Sequence, residues 1–144
     1  CPAGDNKWSR KAMEETFLLT NMCPQNSELN RGDWEKLESR CRGWAKYFGE
    51  VWIACGPIFY SDDYETIGEN KVGVPDAFFK VVLRMGKKPA ALGFIYPNEG
   101  THHSMEHYVM TVDEVEDKTG IDFFHNLPDS IENMVESTID FKHW

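Results

Sequence analysis

An amide and a carboxylate, Asn30 and Glu38, stand eight residues apart at the start of a helical pattern, with Arg42 one turn further on. Two turns of helix separate the first pair, so both side chains can serve one site. A neutral amide oxygen beside a carboxylate suits a hard divalent cation, and magnesium in particular takes few protein ligands and keeps several waters. Arg42 adds a fixed positive charge that could meet a phosphate. The same residues have ordinary uses as well: an asparagine near a helix start is commonly a cap, and Glu38 with Arg42 at i, i+4 is commonly a surface ion pair.

Other patterns compete. His103-Ser104-Met105-Glu106-His107 matches the inverted zinc-protease motif H-x-x-E-H, and His102 lies beside it. On a helix, histidines at i and i+4 could share a zinc. Pro97, Gly100 and the run Tyr108-Val109-Met110 point instead to a solvated loop entering a strand. Lys87-Lys88 reads as a soluble hairpin tip, and Asp62-Asp63 with Glu65 as a solvated acidic loop. Among the tryptophans, Trp34 and Trp44 fall on an apolar stripe, which leaves Trp8, with its polar neighbours, as the plausible platform for stacking a base.

The elements that must hold these residues follow from periodicity. Trp34, Leu37, Cys41, Trp44, Ala45 and Phe48 recur at spacings of three and four, which predicts a helix over 33–48 with one buried stripe, stopped at Gly49. A short helix over Arg10–Thr16, a strand at Phe17-Leu18-Leu19 and turn chemistry over 21–26 precede it. Val51–Cys55 reads as a buried strand ending at Gly56-Pro57, with Ile58-Phe59-Tyr60 continuing it past a kink, and 61–70 as loop. The β-branched and aromatic runs 77–85 and 90–96 predict a hairpin. Tyr108–Thr111 predicts a short strand, Val112 opens a helix that Gly120 closes, and Ile131, Met134 and Val135 mark a last helix. The result is one α+β domain over 1–144, a mostly antiparallel sheet with helices packed on it.

With 41% hydrophobic residues in 144, the chain can bury one core. No run approaches the roughly 18 apolar residues of a membrane span, and no signal-peptide pattern opens the sequence. The four cysteines are too widely spaced for a CxxC zinc site and read as free or buried thiols. Formal net charge is −9, which argues against a polyanion partner, but its distribution softens the objection. Residues 1–48 hold eight Lys/Arg against seven Asp/Glu, and residues 112–144 hold two against nine. A polyanion site therefore belongs on the N-terminal third. Cys1-Pro2-Ala3-Gly4-Asp5 reads as the middle of a loop, so an N-terminal portion is expected upstream.

The run from Ala12 to Gln25, followed by Leu29-Asn30, Trp34 and Leu37-Glu38, resembles the family of DNA/RNA non-specific endonucleases, the endonuclease G-like enzymes. Gly56-Pro57-Ile58-Phe59, Val74-Pro75, Ala77-Phe78-Phe79-Lys80-Val81 and Gly120-Ile121-Asp122-Phe123-Phe124 continue the resemblance over nearly the whole chain. It implies a ββα-metal (His-Me finger) fold and magnesium-dependent hydrolysis of DNA and RNA to 5′-phosphate products, with manganese or another divalent ion as a substitute. Asn30 would be the metal ligand, Glu38 the carboxylate that orients metal-bound water, Arg42 a phosphate contact and Asn21 a supporting polar residue. The family's general base is the histidine of an Asp-Arg-Gly-His motif, expected here just upstream of Cys1, so this stretch alone would be inactive. The resemblance further implies a secreted or periplasmic location, a homodimer, and a separate N-terminal segment as partner. The alternative is a catalytically inactive domain of the same fold that binds nucleic acid or a protein.

Overall fold

A computed structural model describes residues 2–100 and 102–144. Its centre is the hairpin of β4 (Ala77–Arg84) and β5 (Ala90–Pro97), paired antiparallel from Ala77 opposite Pro97 to Arg84 opposite Ala90. The strands are buried almost throughout and largely apolar, as expected of a sheet covered on both faces. Phe78 and Val82 point, with Phe94 and Tyr96, toward one layer of helix, whereas Ala77, Phe79, Val81 and Leu83 point toward another. The flanking strands are β1 (Trp52–Ile58), paired antiparallel with β4, and β6 (Val109–Met110), paired with β5, giving the order β1-β4-β5-β6.

The first layer is the predicted stripe. Trp34, Leu37, Cys41 and Trp44 are buried against the sheet, and Gly49, at φ 89°, ends the helix in a backbone conformation that other residues rarely adopt. The helix starts earlier than periodicity suggested. Asn26 caps α2 (Ser27–Leu29) by accepting from the N–H groups of Glu28 (2.8 Å) and Leu29 (3.3 Å). A wide turn of i→i+5 character, Asn30–Trp34, then runs into α3 (Glu35–Phe48), with a kink at Gly32. Asn30 thus lies inside the helix, with Asn26 in the capping position.

The second layer comprises α5 (Val112–Thr119) and α6 (Asp129–Glu136), which bury Val112, Val115 and Val135. Thr111 and Glu114 close a capping box at the start of α5, and Gly120 follows its end. The predicted last helix is present, with Val135 buried, Ile131 half-buried and Met134 exposed.

Several expectations are corrected. Phe17-Leu18-Leu19 is not a strand: after α1 (Arg10–Glu15) the chain enters a turn and a 3-10 segment, Leu19–Asn21, with all three apolar side chains exposed. Among the described residues no neighbouring strand offers them hydrogen bonds, and apolar composition alone cannot make one. β1 runs unbroken through Gly56-Pro57, and it is an exposed edge rather than a buried strand, which is where a proline can be tolerated. The 61–70 region contains part of a small hairpin, β2 (Thr66–Ile67) with β3 (Val72–Gly73). His107 lies on a single helical turn, α4 (Met105–Tyr108), rather than in a loop.

Candidate active site

Asn30 sits on the wide turn with its side chain exposed. Its amide Nδ2 donates to Gln25 Oε1 at 2.5 Å, which orients the plane of the amide. Gln25 in turn belongs to a segment that Asn98 pins down. Asn98 Oδ1 accepts from the Asn26 N–H (2.7 Å), and its Nδ2 donates to the carbonyls of Pro75 (2.8 Å) and Pro24 (3.3 Å).

In a straight helix, residues eight apart differ by about 80° in direction, because each residue turns about 100°. Gly32, at φ −109° and ψ −105°, breaks the helix between them, so Asn30 and Glu38 do not keep that relation.

Glu38 is half-buried, and burial raises its carboxyl above the usual range, while the charges of Lys80 and Arg42 pull it back down. Arg42 does not close the expected ion pair with Glu38. Its Nη1 donates to Asp5, 3.2 Å to Oδ1 and 3.3 Å to Oδ2, and its Nη2 to Ser39 Oγ at 2.8 Å. It is thereby held at the point where the N-terminal turn meets α3.

Lys80 was not identified from sequence. It is only 3% exposed, on the α3-facing side of β4 opposite Cys55 of β1, and its ammonium lies 4.5 Å from the centre of the Trp34 ring. The charged residue at an inward position of Phe78-Phe79-Lys80-Val81-Val82 was the available signal. Cys41, buried next to this group, has its thiol pushed up to about 11, chiefly by burial, which makes it unreactive. Asn21 has a local role: its amide donates to the carbonyl of Glu15 at 3.0 Å, and no hydrogen bond among the described residues links it to Asn30, Glu38 or Arg42.

The other candidates separate from this group. Lys87 and Lys88 are exposed at the hairpin tip, as are Asp62, Asp63 and Glu65 in their loop, and Trp8 is 80% exposed. The rings of His103 and His107 lie 4.3 Å apart, tilted by 34°, but among the described residues no group of three potential ligands contains either. Across α3, Arg31, Lys36 and Arg40 line a shallow cleft of about 700 Å³ that includes neither Asn30 nor Glu38. Asp33, buried at the wide turn, accepts from Lys36 Nζ (2.9 Å) and the His103 N–H (3.3 Å), with His102 Nδ1 at 3.6 Å. Burial alone would raise its carboxyl, but these partners outweigh it and hold it below the ordinary value.

Residues 1–130 match the DNA/RNA non-specific endonuclease family, and the chain belongs to that family. It is 39% identical over 141 residues to the mitochondrial nuclease EXOG of Xenopus laevis, a match covering 88% of this chain and 39% of that protein. Mitochondrial endonuclease G of Bos taurus is 30% identical over 138 residues, covering 87% and 46%, and the mitochondrial nuclease of Saccharomyces cerevisiae 33% over 150 residues, covering 90% and 46%. The chain thus spans less than half the length of these relatives. A crystal structure of an EndoG/EndoGI complex contains a chain that superposes with a TM-score of 0.82 at 29% identity, over 91% of this chain and 59% of that one. The fold is the α+β nuclease fold expected from sequence. The preference for a secreted or periplasmic location is overturned, since these relatives are mitochondrial nucleases.

Proposed function

We propose that this chain supplies the metal-binding helix of a mitochondrial, magnesium-dependent nuclease that hydrolyses phosphodiester bonds of DNA and RNA with little sequence preference and leaves 5′ phosphates. The observation that carries the reading is Asn30: its amide nitrogen is engaged by Gln25, so its oxygen is presented at a wide helical turn with Glu38 further along the same helix and Lys80 behind it. Bound there, the cation would stabilise charge on the phosphate and the departing oxygen. Glu38 would orient a water, and Arg42, held by Asp5, would meet a phosphate oxygen. Contacts of these kinds grip sugar and phosphate and leave the bases unread.

The motif Asp-Arg-Gly-His does not occur among these residues, and none of the five histidines lies at the matching place before Asn30. The general base is then a histidine of the longer polypeptide, as the greater length of the relatives accommodates. A homodimer belongs to the same reading.

The test is Asn30→Ala in the full-length protein. The truncation removes one exposed hydrogen bond, worth about 1 kcal/mol, so Tm should move by no more than about 4 °C. Magnesium binding, followed by calorimetry, and plasmid nicking should both be lost. Unchanged magnesium affinity contradicts the assignment of Asn30, and absence of nicking in the intact wild-type protein favours the inactive-domain alternative.

A further inference from the structure

On the face of the sheet away from α3, Asp113 and Glu116 of α5 meet Glu136, the last residue of α6. One carboxylate oxygen from each lies within 4.8 Å of the others. A cluster of acids is common on protein surfaces, but this one has a buried member. Glu136 is 6% exposed, and its Oε1 has no hydrogen-bond partner. A carboxylate in that position is costly on three counts. It is out of water, it lacks a donor, and it stands at the C-terminal end of a helix, where the backbone dipole already presents negative charge.

We propose that Asp113, Glu116 and Glu136 form a calcium site that clips α5 to α6, separate from the Asn30 and Glu38 group and independent of the function proposed above. Oxygens that share a calcium, each about 2.3–2.6 Å from it, lie at most about 5 Å apart, so the observed spacing needs no rearrangement. Glu116 is already oriented, because its Oε1 accepts from the Phe123 N–H at 2.7 Å, leaving its other oxygen for the ion. Asp113 is exposed, which gives the ion a way in and lets waters complete a coordination shell of about six to eight oxygens.

The surrounding charge agrees with this geometry. Glu132 and Asp122 add negative charge around the three carboxylates, which a divalent cation would offset.

The experiment uses metal-stripped Asn30→Ala protein, so that the other site does not contribute, and titrates it with calcium chloride by calorimetry and thermal unfolding. The expected result is one calcium per chain and a Tm rise of about 5 °C at ten times the dissociation constant. Glu136→Gln should lose the heat and the shift. Asp113→Asn, at an exposed position where folding is not at risk, should weaken calcium binding at least tenfold. Two outcomes overturn the proposal: no heat and no shift at millimolar calcium, or calcium binding that survives in Asp113→Asn unchanged. If Glu136→Gln raises Tm in chelator while calcium has no effect on the parent, the cluster is only a frustrated set of charges, and the site is refuted.

Discussion

Replacing Lys80 by methionine would separate the packing of this side chain from its charge. The ammonium lies over the Trp34 ring, a contact worth about 2 kcal/mol when desolvated. Against it stands the cost of holding a charge at a position 3% exposed, which is several kcal/mol. Methionine keeps most of the volume and loses both terms, so Lys80→Met should be as stable as the parent or more stable by about 1–2 kcal/mol. Lys80→Ala also loses the buried stem, about three methylenes plus a cavity, and should fall about 2–4 kcal/mol below Lys80→Met. Urea unfolding of the three proteins gives these differences. The charge has a second effect, because Lys80 is the strongest influence opposing the upward pull of burial on Glu38. Without it, Glu38 should titrate at higher pH in a carbon-detected NMR titration, and the acid limb of the full-length enzyme's pH–rate profile should move the same way. Lys80→Met as unstable as Lys80→Ala, or an unmoved Glu38, would refute the reasoning.

Two further outcomes follow from the structure. Asp33 has a depressed carboxyl pKa in the fold, so it stabilises the protein above its unfolded value and this contribution is lost as pH falls through the folded one. Asp33→Asn should therefore cost about 1–3 kcal/mol at pH 7, and that deficit should shrink below about pH 4; denaturant unfolding across this range checks it, and a deficit independent of pH counts against the assignment. At Gly93 an added Cβ would lie 2.6 Å from the backbone oxygen of Thr111 and 2.6 Å from Val115 Cγ2, so Gly93→Ala should lower stability by about 1–3 kcal/mol and loosen α5, seen as faster amide exchange there.

Periodicity was enough for the α3 stripe and the β4–β5 hairpin, because both bury one continuous apolar face whose spacing is local information. It failed where a distant partner decides. Phe17-Leu18-Leu19 has the composition of a strand but no neighbour to pair with, and β1 looks buried from its residues while standing at the edge of the sheet. The wide turn at Asn30–Trp34 has no periodic signature, so the angular relation of Asn30 to Glu38 could not be read from a spacing of eight. Those two residues and Arg42 were flagged by type and spacing and given roles by resemblance to a family, whereas their companions come from contacts far along the chain. Asp5 reaches Arg42 across 37 positions, and Lys80 meets Trp34 from another element. Asn21 came from the same resemblance, and its contact in the fold is within its own loop.

The edge position of β1 has a practical consequence for anyone preparing this stretch by itself. One flank of the strand is satisfied by β4, while among the described residues no strand pairs with the other, where Trp52 and Ile53 are exposed and Pro57 lacks an N–H. Such a margin templates lateral strand addition. Concentrated solutions should therefore oligomerise through sheet extension, and a short extended peptide complementary to this flank would act as a solubilising additive.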